Sequence, residues 1–474
     1  MKDKCAVFGV YGSDEASLLS YLGLYALQHR GQESSGIITS DGHRMHEHKA
    51  MGLVSKVFSQ EILGRLPGRL AIGHNRYSTT GVSRAVNIQP LLVDCRIGQV
   101  AVAHNGNIVN AVELRAAMES DGSIFRSTMD SEVILHLMAK SREQEVELMI
   151  ADALRQVRGA YSLVFLLHDR VIAARDPHGF RPLSLGRVGD TWIAASESCA
   201  FDIIGAEHVR DVEPGELVTM GEKGLESLEF AKPAQPQSRC IFEFIYFSRP
   251  DSRIFGENVD RVRRELGRHL AEEAPVEADI VIAVPDSSNT IALGYSEASG
   301  IRFELGLIRN HYVGRTFIQP RQTERDWDVR IKFNPVRGVL EGKSIVVVDD
   351  SIVRGSTMRK LVSMIRGAGA AKVHLRIGSP SITHSCYYGI DTPTRGELIA
   401  SSHAVDDIRD YLGVDSLHYL SLEGLFACVK EPHNYCVACF SGNYPVVRNG
   451  EYRKDVFDKR SGCGEGMEAN ENAC

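Results

Sequence analysis

The stretch of residues 344–357 constrains the fold more than any other part of this sequence. It reads SIVVVDDSIVRGST: an apolar run, two adjacent acids, a turn of small residues with Gly355, and a helical pattern from about Met358. A short apolar run bounded in this way is typical of a strand buried on both faces of a parallel sheet. The runs at 279–284 and 373–377 alternate with helical segments in the same manner. We therefore predict an α/β domain with a parallel sheet in the second half of the chain.

The turn after this strand indicates a site for a phosphorylated sugar. A loop that leaves a parallel strand and enters a helix presents backbone N–H groups and a positive dipole end, which suit a phosphate. The hydroxyls of Ser351, Ser356 and Thr357 can add donors. The acids Asp349 and Asp350 would repel a phosphate unless they bind sugar hydroxyls or a hard cation such as Mg²⁺. An ordinary strand-to-helix turn is the less specific alternative.

The first half of the chain has a different pattern. Short β-rich runs, such as residues 100–104 and 161–167, alternate with a few amphipathic helical segments, such as residues 17–29. This mixture favours an α+β domain. Residues 231–238 are polar and contain two prolines, which cannot sustain a helix or a central strand, so a linker is predicted there.

Length and composition exclude several classes of protein. The chain has 474 residues, more than the roughly 250 to 300 at which one hydrophobic core stops growing, so two domains are expected. The net charge of -7 comes without a long acidic block, and no apolar run approaches the roughly 18 residues of a membrane helix. We therefore expect no nucleic-acid partner and no membrane span. Ten sparse cysteines and a start that fits a secretory signal badly indicate a cytoplasmic protein.

Cys5 is the candidate nucleophile of the first half. If the bond between Lys4 and Cys5 is cut, the new α-amine, with an ordinary pKa of about 7.7 to 8.0, can act as the base for its own thiol. Attack on an amide develops an oxyanion, to which Asn105 and the N–H of Gly106 can donate. A cysteine in a hydrophobic core is the alternative for this position.

Four downstream motifs give Cys5 a context. They read LQHRGQ at residues 27–32, GHNRYST at 73–79, AHNGN at 103–107 and STMDSE at 127–132. Together they resemble the class II glutamine amidotransferases, which have the N-terminal-nucleophile fold. Glutamine carries a carboxylate and an ammonium, and the resemblance assigns Arg76 to the first and Asp130 to the second. It also places Arg30 and Thr79 in the same pocket.

The second half resembles the type I phosphoribosyltransferases, whose phosphoribosyl pyrophosphate (PRPP) loop is similar to residues 346–357. The version DDSIVRG is similar to that of the amidophosphoribosyltransferase family. The resemblance implies that Ser287, Asp349 and Asp350 hold Mg²⁺. It also implies that PRPP is bound by these three residues together with Ser351, Arg354, Gly355, Ser356 and Thr357. The pyrophosphate loop of the family matches residues 284–289.

A mobile lid of the same family matches residues 309–320 and extends to nearby cations. The lid residues implied are Tyr312, Gly314, Arg315, Arg330 and Lys332. The three cations among them can close over a pyrophosphate and exclude water. Solvated surface charge is an equally good interpretation for any one of these cations.

A set of cysteines has no catalytic task. The only CxxC, at Cys436 and Cys439, is weak evidence by itself. One branch of the amidophosphoribosyltransferase family holds a [4Fe-4S] cluster through cysteines that match Cys240, Cys386, Cys436 and Cys439. Four thiolates suit iron–sulfur or Zn²⁺ about equally, and the resemblance selects iron–sulfur. We expect core thiols at Cys95, Cys199 and Cys428.

The resemblance covers residues 5–445 and implies one reaction and one order of domains. Ammonia from glutamine displaces pyrophosphate from PRPP to give 5-phosphoribosylamine, the entry step of purine synthesis. The resemblance also implies a homo-oligomer, a tetramer or a dimer, that purine nucleotides inhibit. The predicted order is a propeptide (1–4), the glutaminase domain (5–230), a linker (231–240), the phosphoribosyltransferase domain (241–446) and a mobile tail (447–474).

Two other functions remain open at this point. The chain would be a nucleobase phosphoribosyltransferase if its amidase domain were inert. It would be a PRPP-sensing regulator if neither half turned over substrate. Both alternatives require the thiol of Cys5 to be idle.

Overall fold

The structure is a computed structural model that describes residues 5–77, 84–310 and 331–447. The described chain divides into two compact units. The first unit contains the described residues up to Gln237, residues Tyr387–Asp391 and residues 446–447; the second contains Ser238–Cys386 and Thr392–Pro445. No helix of the described residues is both long and apolar enough to cross a bilayer.

The first unit is built mainly from antiparallel strands. Its described strands are β1 Ala6–Tyr11, β2 Ser34–Ser40, β3 Met45–Met51, β4 Leu70–Arg76, β5 Leu91–Cys95, β6 Gly98–Ile108, β7 Gly159–Leu166, β8 Val171–Arg175, β9 Ser184–Val188, β10 Thr191–Ala195, β11 Glu207–Asp211, β12 Glu216–Gly221 and β13 Gly224–Glu229. Its helices are α1 Ala16–Ala26, α2 Val54–Val57, α3 Gln60–Gly64, α4 Ala111–Ser120, α5 Glu132–Lys140, α6 Val146–Gln156 and α7 Cys199–Asp202, with a 3-10 turn at Ala85–Asn87.

Two sheets of this unit pack face to face. One has the strand order β11-β9-β10-β1-β4-β2-β3 and the other β13-β12-β8-β7-β6-β5. Val7 and Ile72 of the first sheet share a core with Val164 of the second. Helix α1 covers the outer face of the first sheet, and α5 and α6 cover the outer face of the second. The result is a helix–sheet–sheet–helix sandwich, and the α+β prediction is confirmed.

Helix α1 is shorter than the sequence pattern predicts. It ends at Ala26 instead of His29. The side chain of Gln28 donates to the carbonyl of Gly31 at 2.5 Å and accepts from the N–H of Val54 at 2.7 Å. These bonds fold the chain into a turn after Ala26, so the apolar periodicity continues beyond the end of the helix.

The second unit contains shorter strands and more helix. Its described strands are β14 Arg239–Cys240, β15 Arg253–Ile254, β16 Glu257–Asn258, β17 Ile280–Ala283, β18 Leu307–Arg309, β19 Phe333–Pro335, β20 Ser344–Asp349, β21 Lys372–Ile377, β22 Ser416–Tyr419 and β23 Tyr435–Cys436. Its helices are α8 Val259–Glu273, α9 Asn289–Ser299, α10 Arg337–Leu340, α11 Ser356–Gly367, α12 Val405–Leu412, α13 Leu422–Ala427 and α14 Ala438–Ser441. Shorter turns are a π-helical turn at Glu243–Phe247 and 3-10 turns at Arg395–Glu397, Ile399–Ser401 and Pro432–Asn434.

A parallel sheet forms the centre of the second unit, as predicted. Its order is β17-β20-β21-β22, and each neighbouring pair is parallel. Val347 of β20 is fully buried and shares a core with Leu361 of α11. Helix α11 begins at Ser356, two residues before the predicted start at Met358. The turn before it places Gly355 at φ +74°, a left-handed conformation that glycine adopts at little cost.

Candidate functional site

Cys5 lies at the start of the central strand of the first sheet. Strand β1 pairs with β4 so that Ala6 faces Asn75, which brings Cys5 beside the end of β4. The side chain is 5% exposed, and its Sγ lies 3.4 Å from the carbonyl oxygen of Tyr77, to which it donates. Burial raises the pKa of the thiol to about 11, although the Tyr77 carbonyl and Arg76 oppose this rise. The thiol is therefore neutral near pH 7 and needs a base to act as a nucleophile.

A buried ionic network holds the backbone of Cys5. Nε of Arg30 donates to the carbonyl of Cys5 at 3.2 Å, and the guanidinium pairs with Glu197. Nε2 of His29 lies 2.8 Å from the same carboxylate oxygen. The side chains of Arg30 and Glu197 are fully buried, so the pair is shielded from solvent. Sequence reasoning selected Arg30 but missed Glu197, because no local pattern links residues 167 positions apart.

A cation and an anion lie in the same neighbourhood. Arg76 is 1% exposed, its Nη2 lies 3.5 Å from Sδ of Met129, and its Nη1 lies 3.9 Å from Glu33. Cys5 donates to Tyr77, which follows Arg76, and Arg76 contacts Met129, which precedes Asp130, so the three residues belong to one neighbourhood. The charge of Arg76 lowers the pKa of the Cys5 thiol, and that of Asp130 raises it. The predicted glutamine-binding residue Thr79 lies outside the described residues.

Asp130 remains ionised although it is buried. Burial alone would raise its pKa, but the charge and hydrogen bond of His104 and the N–H groups of Ile108 and Ser131 hold the pKa below its ordinary value. Nδ1 of His104 lies 3.6 Å from the carboxylate, and the Ile108 N–H donates to it at 2.8 Å. The site therefore offers a fixed negative charge.

Asn105 and Gly106 lie within a strand, opposite Ser162 and Tyr161 of the neighbouring strand β7. Asn105 is 1% exposed, and among the described residues its Nδ2 has no hydrogen-bond partner. A buried donor without an acceptor costs roughly 1 to 3 kcal/mol. Such a donor fits a site that stabilises a transient negative charge.

The turn predicted to bind phosphate lies at the carboxyl end of β20. Oγ of Ser288 donates to Asp349 at 2.9 Å. Oγ of Ser287 and Oγ of Ser351 each donate to Asp350 at 2.5 Å. Burial, followed by the neighbouring Asp350 carboxylate, raises the pKa of Asp349 well above its ordinary value. Asp350 is buried and Asp349 is half-buried. Two adjacent carboxyls of this kind are a good donor set for a hard divalent cation, which relieves their repulsion.

The start of α11 completes this turn. Ser356 and Thr357 are exposed in its first turn. A Cβ on Gly355 would lie 3.0 Å from Cδ1 of Ile399, so a larger residue fits poorly there. Arg354 forms a 2.6 Å ion pair with Glu397, which directs it toward that carboxylate.

Most of the predicted lid falls outside the described chain. Tyr312, Gly314, Arg315 and Arg330 lie outside the described residues, and Lys332 is exposed. The carbonyl of Lys332 accepts from the N–H of Asn310 at 2.8 Å. At the other end, the Arg309 guanidinium lies 2.6 Å from Asp286.

The four predicted cluster cysteines are neighbours within the second unit. Strands β14 and β23 are parallel and place Cys240 opposite Cys436. Burial raises the pKa of the Cys439 thiol well above its ordinary value, and Cys436, Cys386 and Cys240 raise it further. Within the described ranges, no three side chains of His, Cys, Asp or Glu are already spaced to hold a metal ion. Cys240 and Cys436 therefore face each other across two strands, but the four thiols of the described chain do not form a closed ligand set.

The other described cysteines differ in burial. Cys199 and Cys428 are buried, as expected for core thiols. Cys95 is only half-buried but packs against the core of the first unit, so it lies at the edge of that core. It lies at the end of the edge strand β5, and its thiol donates to Gly98 of the same hairpin at 3.5 Å.

Comparisons with known proteins agree with this geometry. A family described as a glutamine amidotransferase domain matches residues 74–202. An amidophosphoribosyltransferase of Bacillus subtilis is 49% identical over 452 residues, covering 94% of this chain and 95% of its own length. This chain belongs to the amidophosphoribosyltransferase family. A chloroplastic amidophosphoribosyltransferase 2 of Arabidopsis thaliana is 52% identical, covering 94% of this chain and 80% of its own length.

Two solved structures extend the match to the amidophosphoribosyltransferase fold. One is described as the allosteric regulatory enzyme of purine biosynthesis, with a TM-score of 0.89 and 49% identity over 93% of this chain and 96% of that chain. The other is glutamine PRPP amidotransferase from Bacillus subtilis complexed with ADP and GMP, with a TM-score of 0.88 and 49% identity over 93% of this chain and 97% of that chain. Both units of this chain are therefore those of an amidophosphoribosyltransferase.

Proposed function

We propose that this amidophosphoribosyltransferase releases ammonia from glutamine at Cys5 and transfers it to C1 of PRPP bound at Asp349 and Asp350. The products are 5-phosphoribosylamine, glutamate and pyrophosphate, in the first step of de novo purine synthesis. One observation carries the glutaminase assignment: a buried thiol lies among a buried cation, Arg76, and a buried anion, Asp130. These charges match the carboxylate and the ammonium of glutamine. A paired assay with glutamine or ammonia as nitrogen donor tests the function.

The glutaminase step uses Cys5 as nucleophile and its own amine as base. The thiol proton passes to the amine, and the sulfur attacks the amide carbon of glutamine. Asn105 and the Gly106 N–H donate to the oxyanion that forms. The protonated α-amine of Cys5 then gives this proton to the amide nitrogen of glutamine as the carbon–nitrogen bond breaks. This step releases ammonia and leaves a thioester. Water then hydrolyses the thioester to glutamate.

This mechanism requires removal of residues 1–4, because only a free α-amine can serve as the base. Initiator-methionine removal alone leaves three residues before Cys5. Active enzyme should therefore have Cys5 as its first residue. An intact mass that retains residues 1–4 in fully active protein would contradict the free-amine mechanism.

The pH profile of glutamine hydrolysis should report that amine. The base must be unprotonated, so kcat should be low at pH 6, half-maximal near the pKa of the amine, about 7.7 to 8.0, and constant only above about pH 9. The pKa of Asp130 is held below its ordinary value, so its charge persists throughout this range. The KM for glutamine should therefore stay nearly constant while kcat changes. A flat kcat profile between pH 6 and 8 would exclude the amine as base.

The phosphoribosyl step uses the turn after β20. Asp349 and Asp350, with Ser287, are the residues that would hold Mg²⁺, and the N-terminus of α11 receives the phosphate of PRPP. Bound Mg²⁺ would neutralise the pyrophosphate leaving group. The hydroxyls of Ser356 and Thr357 face solvent at the helix start, where they are free to donate to phosphate oxygens.

We assign a structural [4Fe-4S] cluster to Cys240, Cys386, Cys436 and Cys439. Cys240 lies opposite Cys436, and burial together with the other three thiols raises the pKa of Cys439. Such thiols become thiolates together only if cations hold them. The cluster would join Cys240 at the start of the unit to Cys439 near its end and so reduce the entropy of the unfolded chain.

Anaerobically purified protein should be brown and contain iron and sulfide in equal amounts. Cys436→Ser should lose the colour, lower the iron content and lower the melting temperature. Cys428→Ser is the matched control, since Cys428 is a buried thiol of the same unit that donates to Gly424. A colourless, fully active preparation that contains zinc would overturn the cluster assignment.

Regulation, assembly and location complete the proposal. The solved structure of the Bacillus subtilis enzyme is a complex with ADP and GMP, which supports feedback inhibition of this chain by purine nucleotides. We expect PRPP binding to raise glutaminase activity, because ammonia released without an acceptor is lost to solvent. We also expect a homo-oligomer, a dimer or a tetramer, in the cytoplasm.

A further inference from the structure

A short loop from late in the sequence belongs to the first unit. Residues Tyr387–Asp391 group with that unit, whereas Cys386 and Thr392 on either side group with the second. The N–H of Cys386 donates to Oγ1 of Thr392 at 2.7 Å and closes the base of the loop. Tyr388 is 2% exposed, so the loop is packed into the unit. We call residues 387–391 the clamp loop.

Hydrogen bonds and a ring contact hold the clamp loop in the first unit. Nδ2 of Asn107 in strand β6 donates to the carbonyl of Tyr387 at 2.9 Å. The guanidinium of Arg181 donates to the carbonyl of Tyr388. The ring of Tyr388 stacks on Phe180 with centroids 4.3 Å apart. Since Phe180 and Arg181 are fully buried, the loop rests on a rigid base.

The tip of the clamp loop packs against Gly106. A Cβ on Gly389 would lie 2.8 Å from the carbonyl carbon of Gly106 and 2.9 Å from its oxygen. From the other side, a Cβ on Gly106 would lie 2.0 Å from the carbonyl oxygen of Ala160. The backbone of Gly106 is therefore confined between two other main-chain segments.

We infer that the clamp loop positions the oxyanion hole, with Gly389 as a positioning residue for the N–H of Gly106. The inference rests on the proposed role of Asn105 and Gly106 in glutamine hydrolysis. A donor stabilises an oxyanion only when it is held within about 0.5 Å of the productive position. Gly106 has no side chain to anchor it, so close packing of neighbouring backbone determines where its N–H lies.

Gly389→Ala in the complete enzyme tests this inference, because the added methyl group must push on Gly106. We expect kcat for glutamine hydrolysis to fall about 10- to 100-fold and the KM for glutamine to change less than about threefold. Alkylation of Cys5 by iodoacetamide, followed on the Cys5 peptide by mass spectrometry, should keep its rate, since displacement of iodide builds no oxyanion. Ammonia-dependent synthesis should also be unchanged.

Two further variants control for backbone strain and for misfolding. Gly224→Ala introduces a side chain at φ +89°, close to the +96° of Gly389, but nothing lies within 4 Å of its Cβ. It should leave hydrolysis unchanged. Asn107→Ala removes the hydrogen bond to Tyr387 and adds no atom, so it should lower kcat in the same way but less. It replaces Gly389→Ala if that variant does not fold.

The outcomes separate this inference from the proposed function. A wild-type kcat in Gly389→Ala, or equal losses of hydrolysis and of Cys5 alkylation, would overturn the role of the clamp loop. Asn105→Ala distinguishes the two levels. If Asn105→Ala hydrolyses glutamine at the wild-type rate, the oxyanion hole itself is wrong and the inference fails with it. If Asn105→Ala is impaired and Gly389→Ala is not, the inference fails alone.

Discussion

Replacing Cys5 by alanine should abolish glutamine-dependent synthesis of 5-phosphoribosylamine and leave the ammonia-dependent reaction intact. The variant loses the nucleophile that forms the thioester, so glutamine hydrolysis should fall by about 10³-fold or more. Under the proposed mechanism, free ammonia needs only PRPP and the cation at Asp349 and Asp350, which belong to the second unit. The measurement is pyrophosphate release with each nitrogen donor, at saturating PRPP and at a pH where ammonia is partly unprotonated.

Cys95→Ala is the matched control for the loss of a thiol. Cys95 belongs to the same unit, is half-buried, and donates to Gly98 of the same hairpin. This variant should keep both activities. If Cys5→Ala retains glutamine-dependent turnover, the thiol is not the nucleophile and the assignment of the glutaminase site to Cys5 is wrong. PRPP consumption that requires a nucleobase would favour a phosphoribosyltransferase, and no consumption at all would favour a PRPP-sensing regulator.

Replacing Asp349 by asparagine should impair the phosphoribosyl step and spare glutamine hydrolysis, the reverse of the effect of Cys5→Ala. The amide keeps the size of the carboxyl and can still accept the 2.9 Å hydrogen bond from Ser288, so the fold should persist. It removes a charge from the cation site, and the loss of several kcal/mol of transition-state stabilisation corresponds to about a 10²-fold lower rate or more. Synthesis should fall with either nitrogen donor, whereas basal glutamine hydrolysis without PRPP should be preserved.

Glu272→Gln provides the control for the loss of one negative charge in the second unit. Glu272 lies on α8 with a side chain that is 67% exposed, where it is paired with His269. This variant should bind PRPP and Mg²⁺ as the wild type does. Calorimetric titration of Mg²⁺ in the presence of PRPP gives the direct readout. Unchanged Mg²⁺ dependence in Asp349→Asn would show that this carboxylate is not part of the cation site.

Much of the fold follows from local patterns in the sequence. The apolar run at 344–348 predicts a buried strand because strands covered on both faces need no polar alternation. The acids and the small residues after it place a turn and a helix there, and the structure has both within two residues of the expected positions. Helix α1 shows where local patterns fail, because it ends before the apolar periodicity does. The hydrogen bonds of the Gln28 side chain with Gly31 and Val54 end it, and apolar periodicity does not record such bonds.

The residues of the candidate site could be predicted from the sequence, but the contacts between them could not. Cys5, Arg76, Asn105 and Asp130 were selected from motifs, and the structure places these predicted residues in one unit. The residue that holds Arg30 in place could not be predicted. Glu197 pairs with Arg30, which donates to the carbonyl of Cys5. No spacing pattern in the sequence predicts a partner so far along the chain.

The sequence by itself determined the strand–turn–helix units, the order of the motifs and the residue types available for chemistry. These properties depend on neighbouring residues, which periodicity and composition record. The tertiary structure alone decided which distant segments meet: Cys240 with Cys436 across paired strands, and the clamp loop with Gly106. Such meetings depend on strand order and packing over hundreds of residues. At the turn proposed to bind PRPP, the sequence supplied Asp349 and Asp350 side by side, and folding placed both where desolvation raises their pKa values.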